Sequence, residues 1–340
     1  MFVFMTRFIS LALALQAVAA KDGFQYRSRH RAHGNSTVLQ ARKSWTLADK
    51  YQGQSFLDEW DFFLSLSTQF TTYNSPTHGM VRYQSKENAQ SKNLAFVQDD
   101  GTFVMAVDST TQLNVGDYRD SVRISSKKSY TQGLFIADIY SMPHGCSVWP
   151  AWWTVGPNWP NGGEIDVLEG VHNQAKNQYT LHTSTGCTID TSVDVSGTLG
   201  NKQCAVGGSD NSGCAFIDPD ITSYGNAFNL LAGGVFAHEW TDEGIKVWHF
   251  PRTSIPADIT SGSPDPDSWP TPAAFFSSSS CDMASHFYDH VLTFDITLCG
   301  DWAGATYSGA GCPGSCAERV ADPSNFKYAK FNVNYVAVYQ

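Results

Sequence analysis

Gly163-Glu164-Ile165-Asp166-Val167-Leu168-Glu169 sets three carboxylates among three aliphatic residues. Side chains of a β-strand alternate between its faces, so Glu164 and Asp166 share one face and Ile165 and Val167 the other. By strict parity Glu169 falls with the apolar set. One extra residue in the strand, a β-bulge at Val167-Leu168, returns Glu169 to the face of the other two acids, and bulges recur beside active sites. Many short strands, Gly/Pro turns and few helices across the rest of the chain mean a sandwich or jelly roll. Like charges this close repel, and at least one carboxyl must have its pKa raised, as a general acid requires. Paired carboxylates are the equipment of glycosidic bond cleavage. A solvated acidic strand face is the alternative, and the neighbouring residues decide against it.

Upstream runs Trp149-Pro-Ala-Trp152-Trp153-Thr-Val-Gly156-Pro-Asn-Trp159-Pro-Asn-Gly-Gly163. With the acidic strand it resembles the active-site signature of glycoside hydrolase family 16, whose bulged motif is E-[I/L]-D-x-x-E. The likeness to the fungal secreted endo-β-1,3(4)-glucanases (laminarinase type) extends from about Trp45 to Gln340. It implies an all-β, concanavalin A-like jelly-roll sandwich with a concave substrate cleft. It also implies Glu164 as nucleophile and Glu169 as general acid/base of a retaining mechanism, with Asp166 hydrogen-bonded to Glu164. His182, in the strand after the motif, is placed to bond Asp166 or a sugar, and Arg123 resembles a family position that reaches the cleft.

Sugar rings present apolar C–H faces to which a Trp offers a flat surface and an N–H donor. Trp149 and Trp159, beside Pro and Gly turns, are expected at the substrate, and Trp240 is a further candidate, with Trp302 equally balanced. Of Trp152 and Trp153 one should be core, because adjacent strand residues face opposite ways. Trp248, alternating with apolar residues, reads as structural. His238-Glu239 lacks the second histidine of a zincin, since residue 242 is Asp. No EF-hand, dinucleotide or phosphate-loop pattern stands in a fitting context, so no cofactor is expected and no metal site is marked, a structural calcium being left open.

The 340 residues carry a net charge of −10 with both signs interspersed, which argues against nucleic acid or an anionic membrane as partner. Residues 1–20 read as a secretory signal: Arg7, an apolar run from Phe8 to Leu15, then small residues at Ala17–Ala20. Residues 21–44 are basic and polar, a flexible leader or short pro-segment carrying one glycosylation sequence at Asn35. The C-terminal residues read as a strand and not as a lipid-anchor signal, so a free, secreted protein is expected. The resemblance implies a β-glucan polysaccharide as its partner, and a monomer is expected. Eight cysteines behind a signal segment imply up to four disulfides, and Cys204 and Cys214 could close a local loop.

Short β-type runs separated by turn residues recur from Trp45 onward, for example Gly133–Tyr140, Gln178–His182, Val235–Trp240, Gly244–Phe250 and Val291–Ile296. Phe56–Phe63 has helix-like spacing over about two turns, and Ser254–Ser280 reads as a long loop at the cleft rim. The expected organisation is a signal at 1–20, a leader at 21–44 and one catalytic domain at 45–340. Two readings compete with hydrolysis: a wall transglycosylase using the same acids, and a glucan-binding lectin, which would be expected to have lost one of the glutamates.

Overall fold

A computed structural model describes residues 44–64, 76–207 and 210–340. The expected signal and all of the expected leader but Ser44, with Asn35, lie outside the described residues. Residues 44–340 form one compact unit built of two antiparallel eight-stranded sheets.

The first sheet runs Ala274–Ser277, Gly244–Pro251, Gly234–Thr241, Gly133–Ser141, Lys330–Tyr339, Phe103–Ala106 and Ala95–Val97, with Leu47–Gln52 also pairing to Lys330–Tyr339. The second runs Thr198–Leu199, Cys214–Ile217, Gln178–His182, Glu164–Glu169, Val148–Val155, His290–Leu298, Arg123–Tyr130 and Trp60–Phe62. The acidic strand is therefore central in its sheet, hydrogen-bonded on both edges. A small parallel pair, Val81–Tyr83 with Arg119–Ser121, completes the strands.

Alternation explains how the sheets face each other. Ile165 and Val167 are fully buried in the core with Trp152, Leu292, Phe294, Tyr179 and Leu181 of their own sheet. Phe135, Ala137, Phe236, Trp240, Ile245 and Val247 meet them from the first sheet. Phe294 anchors this layer: its ring lies 4.4 Å from Trp152, 5.3 Å from Phe331 and 5.9 Å from Trp60. The residues on either side of it, Thr293 and Asp295, point to the opposite face.

The first sheet also buries part of its outer face. Leu134, Ile136, Val235, Trp248 and Phe250 alternate outward there and are covered by Ile259 and Trp269. Two bonds pin this cover: Trp248 Nε1 donates to Pro270 O (2.8 Å), and Trp269 Nε1 to Asp258 Oδ2 (2.8 Å). The expected cleft-rim loop at Ser254–Ser280 is thus corrected. Much of it lies over the first sheet, because an outward-facing Trp and Phe require shielding from water, and its end supplies the strand Ala274–Ser277. The helix expected at Phe56–Phe63 is a 3₁₀ segment, Gly53–Glu59, leading into the edge strand Trp60–Phe62. Phe56 stacks on Trp60 and Phe103, so core packing rather than helical periodicity explains those aromatics.

All eight cysteines are paired: Cys146–Cys312, Cys187–Cys281, Cys204–Cys214 and Cys299–Cys316. The local Cys204–Cys214 loop is as expected. Cys312 and Cys316, though only four positions apart, bond to separate partners, Cys146 and Cys299.

Phe294→Ala should cost about 3–5 kcal/mol, because truncating a buried ring leaves a cavity that the surrounding aromatics cannot fill. Urea unfolding followed by tryptophan fluorescence checks this, and a loss below 1 kcal/mol would contradict the packing described.

Candidate active site

On the second sheet, the face turned from the core carries the polar residues of every central strand. Across it, Asp166 pairs with Trp153 on one side and Thr180 on the other, and Glu164 with Val155 and His182. The register between Glu164–Glu169 and Val148–Val155 then slips: Asp166 stands opposite Trp153, but Leu168 stands opposite Trp152. Val167 is the extra residue. The bulge lies where the sequence places it, and it returns Glu169, opposite Ala151, to the face of Glu164 and Asp166.

The strand's entry is sterically determined. Gly163 has φ of +78°, and a Cβ there would lie 2.3 Å from His286 O and 2.4 Å from the Phe287 ring. Only glycine fits. The loop before it is held by His290, whose Nε2 donates to Gly162 O (2.7 Å) while Nδ1 accepts from the Thr154 hydroxyl (2.8 Å). That loop presents Trp159, 44% exposed, whose indole N–H donates to Glu164 Oε2.

The three acids differ in surroundings. Glu164 is half-buried, whereas Asp166 and Glu169 are buried. Desolvation pushes the Asp166 pKa well up, and the neighbouring charges of Glu164 and Asp295 push the same way. The proton so retained allows Asp166 to donate to Glu164. Burial also raises Glu169 well above the usual carboxylate range, reinforced by Asp166, while His182 and the Trp149 N–H oppose the shift. Trp149 Nε1 donates to Glu169 Oε1 at 2.9 Å, and His182 Nε2 lies 3.3 Å from Asp166 Oδ2. Glu164, Asp166 and His182 have donor atoms within 4.8 Å of one another, spacing that could hold a cation. Two of them are carboxylates of the acidic strand itself.

Beyond the acids, Arg123 lies with its guanidinium carbon 4.8 Å from the Trp153 ring centre and 5.0 Å from that of Phe63. It is paired across strands with Asp295. Asp295 is buried and accepts from Trp153 Nε1 (2.8 Å), Thr297 Oγ1 (3.0 Å) and Tyr83 OH (3.3 Å). Desolvation raises its pKa, with Arg123 opposing. At the other end Trp302 meets Trp149 edge-on at 5.8 Å.

Glu164, Asp166, Glu169, Trp149, Trp159, His182 and Arg123 therefore converge on one face. Trp240 does not. It is 1% exposed in the inter-sheet core against Phe287 and His290, because its parity in Gly234–Thr241 matches that of Phe236. Trp152 is core and Trp153 is on the site face, as adjacent strand residues require. Asp295 was not singled out from the sequence, although Thr293, Asp295 and Thr297 form an alternating polar set that marks an outward face.

The family profile described as XgeA-like, catalytic GH16 domain matches residues 68–339. A probable endo-1,3(4)-β-glucanase of Aspergillus fumigatus is 43% identical over 319 residues, covering 90% of this chain and 47% of that protein. The chain thus spans about half the length of that relative. Laminarinase 16A from Phanerochaete chrysosporium, solved with β-glucans in its donor and acceptor sites, superposes with a TM-score of 0.82 at 41% identity. The match covers 88% of this chain and all of that one. An elongating GH family 16 β-1,3-glucosyltransferase gives a TM-score of 0.81 at 40% identity, covering 87% and 100%.

A buried carboxyl with a raised pKa weakens the fold where it must ionise. The folded state retains the Asp166 proton above about pH 3.9, where the unfolded chain has lost it, so stability falls as pH rises from there. Asp166→Asn should therefore raise Tm at pH 7 by more than at pH 4. Calorimetry at the two values tests this, and a pH-independent difference would refute it.

Proposed function

This chain belongs to glycoside hydrolase family 16, and from that membership we propose a secreted, monomeric endo-β-glucanase that cleaves β-1,3 glucans, mixed β-1,3-1,4 glucans or both, with retention. The observation that carries the reading is the bulged strand, which sets Glu164 and Glu169 on one face with Asp166 between them. The proposed catalytic domain is residues 45–340. Four disulfides support an extracellular setting.

Glu164 is the nucleophile. Its carboxylate, steadied by the Trp159 N–H and the proton on Asp166, attacks the anomeric carbon as the glycosidic C–O bond breaks. Burial raises the Glu169 pKa and so favours its protonated form, which delivers the proton to the leaving oxygen. The now ionised Glu169 takes a proton from water, whose oxygen displaces Glu164 from the glycosyl carbon. Two inversions leave the β-configuration and return both acids to their starting states. Carboxylates perform every step, so no cofactor is called for.

The rest of the face suits a glucan. Trp149, Trp153, Trp159 and Phe63 offer flat surfaces to sugar C–H faces, and Arg123, His182 and Asp295 offer polar contacts. Transglycosylation uses the same glycosyl-enzyme but gives it to a sugar hydroxyl instead of water. The similarity to a solved glucosyltransferase is the observation that favours it as a second reading.

Proton NMR of laminarin and lichenan digests discriminates. Retaining hydrolysis produces the β-anomer of the new reducing end first, and an initial α-anomer would break the mechanism. Products longer than the substrate would establish transfer, and silence on both glucans would reject the proposed substrate class. Glu164→Gln and Glu169→Gln should each lower kcat on laminarin by about 10²–10⁴-fold with the fold intact. Near-parental turnover by either variant would sink the assignment.

The Trp149 hydrogen bond favours ionised Glu169. Its removal in Trp149→Phe should raise the Glu169 pKa and move the alkaline limb of the kcat/KM profile to higher pH. A limb that stays in place or moves down would refute this coupling.

A further inference from the structure

A bulge solves one problem and creates another. It turns Glu169 to the catalytic face, but it also takes the strand out of register with its neighbour. Pairing with Gln178–His182 is regular for Glu164, Ile165 and Asp166, opposite His182, Leu181 and Thr180. Continuing that register would set the Asn177 main chain opposite Glu169. The Asn177 main chain is occupied elsewhere: its N–H donates to Ser223 Oγ (2.9 Å), and its carbonyl accepts from Asp218 N (2.9 Å).

Its side chain takes the vacated place. Asn177 Oδ1 accepts from the Glu169 N–H at 2.9 Å, and Asn177 Nδ2 donates to Val167 O at 2.8 Å. One amide thus spans the bulge, from the extra residue to the acid that the bulge reorients. Asn177 is fully buried, so water cannot substitute for either bond. A carboxamide is the side chain that offers one donor and one acceptor at this reach; a carboxylate supplies only acceptors, and a hydroxyl is too short to bridge both atoms.

We infer that Asn177 is the positioning residue of the acid/base. By clamping the bulge at Val167 and Glu169, it aims the Glu169 carboxyl at the scissile oxygen and keeps it buried. The inference rests on the reading of Glu169 as acid/base. Asn177 touches no reacting atom and acts only through the Glu169 backbone.

The test exploits leaving groups. Departure of a glucan hydroxyl needs a proton, whereas dinitrophenolate leaves without one. In Asn177→Leu, which keeps the volume and loses both bonds, kcat on laminarin should fall by about 10²-fold, the scale of a misplaced catalytic group. The pre-steady-state burst of dinitrophenolate from 2,4-dinitrophenyl β-laminaribioside should stay within about tenfold of the parent. The alkaline limb of kcat/KM on laminarin should also move to lower pH, because a released Glu169 reaches water and loses the burial that raises its pKa. An equal fall on both substrates, or an unmoved limb, would overturn the clamp.

Val247→Ala, a core truncation in the other sheet, measures general destabilisation and should lower Tm without moving the limb. If Asn177→Leu does not fold, Asn177→Asp keeps the shape and the bond from Glu169 N–H. Its introduced carboxyl can donate to Val167 O only when protonated. Laminarin activity relative to the parent should then recover as pH falls, and a flat ratio would overturn the inference. Glu169→Ala run beside these variants separates the two failures. If it lacks the leaving-group signature, the acid/base assignment falls; if it shows the signature and the Asn177 variants do not, only the clamp falls.

Discussion

The structure depends on placing charge next to a hydrophobic core. Ile165 and Val167 are fully buried between the sheets, while Asp166 and Glu169 are nearly as buried on the other side of the same strand. Two carboxyls withdrawn from water, with a third beside them, cannot all ionise cheaply. Desolvation is the leading cause of the raised pKa at both Asp166 and Glu169, with charge repulsion second. The packing that excludes water from the sandwich is thus also what keeps a proton available for the chemistry.

Around this charged strip the protein arranges donors. Trp159 and Trp149 each direct an indole N–H at one glutamate, and Trp153 directs its own at Asp295. Indole brings a donor without a charge, together with a broad apolar surface. The same residues can therefore fix carboxylate orientation and present a platform to a sugar. Arg123, between the rings of Phe63 and Trp153, supplies the cation that partly offsets Asp295. The opposite sheet takes no part in this polar face. Its outward side is closed by Trp269 and Ile259, and Arg252 forms a bidentate pair there with Asp138 (2.8 and 2.6 Å).

Several assignments from the sequence hinge on parity, and parity succeeds where a strand's two faces differ in chemistry. Glu164 and Asp166 are separated from Ile165 and Val167 by alternation alone, and Trp152 from Trp153 by adjacency. Trp240 defeated the same reasoning. The strand Gly234–Thr241 has apolar residues on both faces, because the sheet outside it is covered as well, so composition could not tell inward from outward. Ser254–Ser280 misled for a related reason: its Pro and Ser content marks irregular backbone, but not which surface the segment covers.

Local chemistry settled much of this protein before any fold was known. The acidic motif, the bulge within it, the expectation of a sandwich of short strands and an even cysteine count allowing up to four disulfides are legible from spacing and residue type, since alternation and turn formation act over a few residues; the pairing of the cysteines is not. Tertiary structure decided what depends on distant parts of the chain. It brought Asp295 beside Arg123 and Trp153, buried Trp240, and set Asn177 against Glu169 and Val167. Burial is a property of what packs from elsewhere, and no single strand contains it. The raised pKa values of Asp166 and Glu169 therefore belong to the folded sandwich.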